Sequence, residues 1–385
     1  MCVRRRRSSH FWKRKWLICS HNWRGSRSGC VPVAPGPTIT RVPCSCGSPR
    51  CGVCSTPSSI VSLPPEAEFW TCWSIFLESP SSSNGACDRR CAVNLGEFGV
   101  WQPAYATTPE MAKRIEGLGY TTLWLGGPEP DLSGIDELLA ATDQLVVASS
   151  IYNIYRGDAA MLASAYRRIE RSYPDRLLLG LGVGHPEQIG EYATPMAALN
   201  GFLDALDEYG LPRERRVLAA LGPKMLALAA ERTAGSVPYL VTPEHTRRAR
   251  AALGSRAILA PEQKVVLESD PERARALARP RITHPYLGLV NYTNNLRRLG
   301  FSDQDLAGDG SDRLIDQLAV HGDADIVAQG LRAHLAAGAD HVQIQVVGEH
   351  SAPHPQMPEV LLQVYDEDTF RIYESLAGAL GVMST

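Results

Sequence analysis

Gly182-Val183-Gly184-His185-Pro186-Glu187 closes an apolar run that begins at Leu177. Glycines at a strand end let a flat ligand or a phosphate approach the backbone closely, with amide N–H groups as donors. A tight turn without a ligand would use the same glycines. His185 and Glu187 favour chemistry, because two titratable side chains beside such a turn can hold and move a proton; the alternative for either is an orienting hydrogen bond.

Two later segments could receive an anion. Gly222-Pro223-Lys224-Met225 places a glycine, a proline at the first helical position and a lysine at a helix opening, a phosphate site or a plain helix start with a solvated lysine. Val241-Thr242-Pro243-Glu244-His245 repeats the pattern with a hydroxyl, and its other reading is an ordinary N-cap. Ser150, Ile151, Tyr152 and Asn153 end a third run, which taken alone is a buried strand with a polar tip. Trp101, Gln102 and Tyr152 are large residues at strand ends and are expected to shape a substrate pocket, with core packing as the alternative. His350 and His354 read as loop residues, and no metal motif includes them.

The elements that must position these residues alternate. Short aliphatic runs are expected as strands over Glu97–Gln102, Thr121–Leu125, Leu145–Ser149, Arg176–Leu181, Arg216–Leu221, Val237–Leu240, Lys264–Leu267 and His341–Val347. Stretches of helical period separate them. Thr108-Pro109-Glu110, Thr242-Pro243-Glu244 and Asp270-Pro271-Glu272 each give a capping side chain, a proline and an acid, the order that suits a helix N-terminus. Gly119 and Gly338 follow helix ends, where glycine takes the left-handed conformation. Such alternation over residues 93–385 predicts a (β/α)8 TIM barrel, with an open doubly wound sheet as the alternative. Extra length before the last strand, from Pro280 to Gly310, is expected to add helices or a lid above the strand C-termini. The site of such a barrel lies at those C-terminal ends.

Residues 1–92 differ in kind. All ten cysteines and five of the seven tryptophans lie there, with 13 Lys+Arg against 4 Asp+Glu, leaving 26 against 37 for the rest. Cys44, Cys46, Cys51 and Cys54 could form a metal knuckle, and Arg4 to Arg7 with Trp12 and Trp16 a basic-aromatic arm. Missing periodicity and scarce aliphatics favour a disordered, non-domain extension or a start assigned too far upstream, with the true start near Val93 or Leu95. The acidic remainder argues against a nucleic-acid partner, and no run reaches membrane-spanning length, so a cytoplasmic enzyme is expected.

Val146 to Ile154, Arg176 to His185, Leu221 to Leu226 and Pro238 to Thr246, in that order, resemble the luciferase-like monooxygenase superfamily, and within it the actinobacterial deazaflavin-dependent branch. The resemblance covers Gly96 to Gly348. It implies an oxidoreductase that transfers a hydride between coenzyme F420 and a small organic substrate. A non-prolyl cis peptide at Ser150–Ile151 would back the ring and Asn153 would meet its polar edge. Gly182, Val183 and Gly184 would line the ring or its side chain, with Gly222, Pro223, Lys224, Met225 and Thr242 near the tail. The resemblance also implies a proton donor after the fourth strand, a place Glu187 fits, and often a histidine after the second. Here the second strand ends Leu125-Gly126-Gly127-Pro128-Glu129 with no histidine. The alternatives are an FMN-dependent monooxygenase, which needs a flavin reductase partner and dioxygen, and a barrel that binds the cofactor without catalysis. A homodimer is the family's common state.

Overall fold

Val100, Leu123, Val147, Leu179 and Ile344 pack into one buried layer, while Trp124, Val146, Ala148, Leu178 and Val217 pack into another. Neighbours along a strand point to opposite faces, so these strands are buried on both sides, as a parallel sheet wrapped in helices requires. A computed structural model describes residues 93–184, 194–353, 361–363 and 365–383. The first 92 residues, His185, Glu187 and His354 lie outside the described residues.

The sheet comprises β1 (Phe98–Pro103), β2 (Thr122–Gly126), β3 (Val146–Ser149), β4 (Tyr152–Asn153), β5 (Leu177–Gly182), β6 (Arg216–Leu218), β7 (Gly235–Ser236), β8 (Ile258–Leu259), β9 (Glu262–Val266), β10 (Ala319–His321) and β11 (Val342–Val346). Its order is β10-β9-β11-β1-β2-β3-β5-β6-β7-β8, all parallel, with β4 attached to β5. β8 and β9 are one strand interrupted near Pro261. Ala260 N donates to Ser236 O at 3.0 Å and Glu262 N to Pro238 O at 2.9 Å, while on the other side Gln343 N donates to Pro261 O at 2.9 Å. These bonds join the sheet's two ends into a barrel, which excludes the open sheet.

The last strands depart from expectation. The sixth pairs at Gly235–Ser236 rather than over Val237–Leu240, because Pro238 has no N–H to donate and Leu240 turns to φ 54°. The seventh starts at Ile258, ahead of the anticipated Lys264, and β10 was not anticipated.

Helices α1 (Pro109–Gly117), α2 (Ile135–Ala140), α3 (Ala159–Ser172), α4 (Pro195–Glu208), α5 (Pro223–Arg232) and α6 (Pro243–Leu253) cover the outer face. The N-caps form as read: Thr108 accepts from Met111 N, Thr242 from His245 N and Asp270 from Glu272 N. The extra length folds as α7 (Pro271–Thr283), α8 (Val290–Arg298), α9 (Asp303–Leu306) and α10 (Asp312–Leu318), followed by α11 (Ala324–Ala336) and α12 (Glu367–Leu380). Ile282, Leu289, Tyr292, Leu296 and Leu314 from α7 to α10 bury against Leu240, Val266 and Val347 at the strand C-termini. Each such side chain stabilises the contact by about 1.5–3 kcal/mol, which fixes the insertion over that part of the barrel mouth.

Candidate active site

The bulge after β3 builds one side of the mouth. Ser150 N donates to Leu125 O at 2.8 Å, the Ser150–Ile151 peptide is cis, and the chain then rejoins β5 with Tyr152 opposite Leu181 and Asn153 opposite Gly182. Ile151 turns inward and rests on Gly182, where a Cβ would sit 2.9 Å from Ile151 Cδ1. Gly184, at φ +64°, abuts Asn153, whose Nδ2 would lie 2.4 Å from an added Cβ. Asn153 Oδ1 accepts from Tyr155 N at 3.0 Å. Thus Ser150, Ile151, Asn153, Gly182 and Gly184 come together, with Val183 beside them.

Trp101 of β1, two strands from β3, joins the bulge from the barrel's inner face. Its Nε1 donates to Ser150 O at 3.3 Å, and its indole lies over Gly126, where a Cβ would clash at 2.3 Å. The other two pocket expectations do not converge on the mouth. Gln102 points outward, fully buried, and accepts from Thr107 Oγ1 at 3.4 Å. Tyr152 is also in the outer core, its ring 6.3 Å from that of Phe202, with no hydrogen-bond partner for its hydroxyl among the described residues. Burial raises its pKa to about 12.

The starts of α5 and α6 meet near the fifth and sixth strand ends. His245 Nε2 donates to Leu221 O at 3.0 Å, which leaves Nδ1 buried without a partner among the described residues; burial lowers the pKa of this histidine. Lys224 and Pro223 are exposed, Gly222 and Met225 partly so, and Thr242 is buried as a cap. Arg298 of α8 reaches this corner, its Nη2 3.6 Å from where a Gly222 Cβ would be. Sequence reading missed that arginine because it lies in the insertion.

A second omission is a polar cluster inside the barrel. Lys264 Nζ lies 3.1 Å from Glu262 Oε1, 2.9 Å from Tyr239 Oη and 3.0 Å from Gln345 Oε1. Lysine and glutamate are essentially fully buried, at 1% and 0% side-chain exposure. Their signal was available: Glu262 and Lys264 stand two apart on one strand, so they share a face. Tyr239 is partly exposed at the mouth, its ring 6.1 Å from Trp101 and 5.4 Å from Tyr286. The mouth therefore has an apolar side at Ile151 and a polar side at Tyr239, with Trp101 between them.

Beside the mouth, a cleft of about 280 Å³ is lined by Val266, Glu268, Val347, Glu349, His350 and Asp368. His350, Asp366 and Asp368 could present ligand atoms within 4.8 Å of one another, a grouping the sequence reading did not anticipate. Asp366 already caps α12 through Thr369 N and contacts His350 Nδ1.

No family model and no curated protein matches the chain. Solved structures do. An F420-dependent secondary alcohol dehydrogenase in complex with an F420–acetone adduct superposes with a TM-score of 0.55 at 13% identity, over 75% of this chain and 99% of that one. The coenzyme F420-dependent tetrahydromethanopterin reductase of Methanopyrus kandleri gives 0.52 at 16%, over 74% and 98%. The oxygenating constituent of 3,6-diketocamphane monooxygenase from Pseudomonas putida, in complex with FMN, gives 0.52 at 13%, over 74% and 98%. At these identities the likeness is one of fold. The chain shares its barrel fold with two F420-dependent enzymes and an FMN-bound monooxygenase.

Proposed function

We propose that the protein is a coenzyme F420-dependent oxidoreductase acting on a small organic substrate. The observation that carries this reading is the Ile151 shelf, set on Gly182 and flanked by Trp101 and the Asn153–Gly184 contact at a barrel mouth. A planar tricyclic ring fits such a floor: Ile151 gives it an apolar face, and Asn153 brings an amide to the rim. When bound, a deazaflavin supplies a two-electron hydride, because carbon stands where a flavin reacts with oxygen.

Within this reading Ser150 and Ile151 support the ring, and Gly182, Val183 and Gly184 border it. The opening of α5 from Gly222 to Met225, Thr242 at the start of α6, and Arg298 hold the negatively charged tail, since helix N-termini and a guanidinium both favour anions. Trp101 bounds the substrate space. His185 and Glu187 are proposed to exchange the cofactor's own proton or to orient the ring by a hydrogen bond. We also assign a homodimeric, cytoplasmic state to this proposal; no helix among the described residues is long and apolar enough to cross a membrane.

FMN is the alternative cofactor, supported by the FMN-bound neighbour of similar likeness, and would bring a reductase partner with it. Titrating the full-length protein with F420 and with FMN, followed by cofactor fluorescence, separates the two. The expected result is saturable F420 binding tighter than FMN binding. FMN binding with no F420 binding overturns the assignment.

A further inference from the structure

Lys264 has three donors and three acceptors around it, Glu262, Tyr239 and Gln345. No donor remains to capture a ligand anion, and Glu262 neutralises the ammonium. The second Glu262 oxygen accepts from Leu240 N at 2.9 Å, so the pair is held from both sides. A dry ion pair contributes little to stability compared with apolar side chains of the same volume. Its chemical outlet is Tyr239, the member of the cluster that is partly exposed at the mouth. That hydroxyl accepts from Lys264, so its own proton is free to be given; here it goes to Gln345 Oε1 at 2.8 Å. A ligand oxygen arriving beside Trp101 can replace Gln345 as acceptor.

We propose that Tyr239, backed by Lys264, is the proton donor to the oxygen of a carbonyl substrate, so that the substrate class is aldehydes and ketones or, in reverse, the matching alcohols. The proposal rests on the hydride-transfer reading above. As a hydride leaves the C–H bond of a reduced deazaflavin, which is thereby oxidised, and forms the new C–H bond at the carbonyl carbon, the C=O π pair moves onto oxygen. That oxygen takes the proton from Tyr239 Oη. The phenolate takes one from the Lys264 ammonium, and after the product leaves, a solvent proton returns to the lysine by way of the Tyr239 hydroxyl; the reverse sequence oxidises an alcohol.

Burial favours the required starting states. It raises the tyrosine pKa well above its ordinary value, reinforced by Tyr286, Glu262 and Tyr292, so the hydroxyl carries its proton. It lowers that of Lys264, opposed by Glu262 and aided by Arg281, which makes the ammonium a readier donor.

The test uses the full-length protein loaded with F420 and the variant Tyr239→Phe, which keeps the ring against Trp101 and Tyr286. Isobutyramide, a carbonyl compound that is not reduced, is titrated by calorimetry; reduction of cyclohexanone and benzaldehyde by reduced F420 is followed by absorbance. The variant should bind isobutyramide about tenfold more weakly, lose about 100-fold in turnover and keep its F420 affinity within about twofold. Lys264→Gln, with folding checked by thermal melt, should lose turnover and shift its pH profile while still binding F420. An isobutyramide affinity and turnover unchanged in Tyr239→Phe overturn the proposal, as does a wild type that binds F420 yet neither binds isobutyramide nor reduces either carbonyl. A wild type that binds no F420 overturns the cofactor reading and this proposal with it.

Discussion

Replacing His341 with Gln should remove part of the protein's acid sensitivity. Trp124 Nε1–H donates to His341 Nε2 at 2.9 Å, so that nitrogen carries no proton, and Nδ1–H donates to Gly96 O at 2.9 Å. Protonating Nε2 would set two N–H groups against each other in a fully buried site. Burial lowers the pKa from 6.5 to about 4 accordingly, with the bonds to Gly96 and Leu95 opposing it. The folded state then binds fewer protons than the unfolded chain, whose histidine keeps the ordinary value. Stability is therefore greatest above pH 6.5 and falls as the pH drops toward 4. With these two pKa values, lowering the pH from about 8 to about 5 costs roughly 2 kcal/mol from this one residue. His334, with Thr246 on Nδ1 and Gln263 on Nε2, is lowered to about 4 in the same way and contributes a similar amount. Urea unfolding at both pH values measures the effect. His341→Gln should be less stable at pH 8, by about 1–3 kcal/mol for the disturbed bonds, but should lose roughly 2 kcal/mol less than wild type on acidification. An equal loss in both proteins would refute the assignment of a buried neutral histidine.

Other substitutions probe the frame. Tyr152→Phe removes a buried hydroxyl with no partner among the described residues, so stability should hold or rise by about 1 kcal/mol in denaturant titration, and turnover should not change. Gly184→Ala forces a side chain onto a residue at φ +64° and against Asn153; a loss of about 1–2 kcal/mol in melting experiments is expected, with F420 affinity reduced. Glu116 accepts from the backbone N–H groups of Asp143, Gln144 and Leu145 at 2.6–3.1 Å. Glu116→Ala should therefore cost about 1–3 kcal/mol, read by chemical denaturation.

The barrel was legible because its first four strands are apolar runs between capped helices. Val146 to Ser149 and Leu177 to Gly182 carry little but aliphatic residues and glycine or serine. Legibility fell where the strand chemistry changed. Pro238 and Pro261 interrupt the sixth and seventh strands, and the inner face at Glu262 and Lys264 is charged, so an apolar template finds neither the seventh strand's start nor the cluster.

Side-chain direction explains the pocket errors. Trp101 faces inward, so Gln102 must face outward, a consequence of strand alternation that choosing both residues ignored. Val146 and Ala148 face inward, and unbroken alternation would bring Tyr152 inward too. The bulge resets the count, turning Ile151 inward and Tyr152 into the helix layer. Arg298 and Tyr286 enter from the insertion, whose approach to the mouth depends on long-range packing that no local pattern encodes.

The most direct test of a redox site at this mouth is the location of the ligand. A crystal structure of the protein grown with F420 should show the ring lying against Ile151, bordered by Gly182 and Trp101, and the tail running toward Gly222 and Arg298. A ring bound elsewhere, with nothing against the Ile151 shelf, would contradict the account.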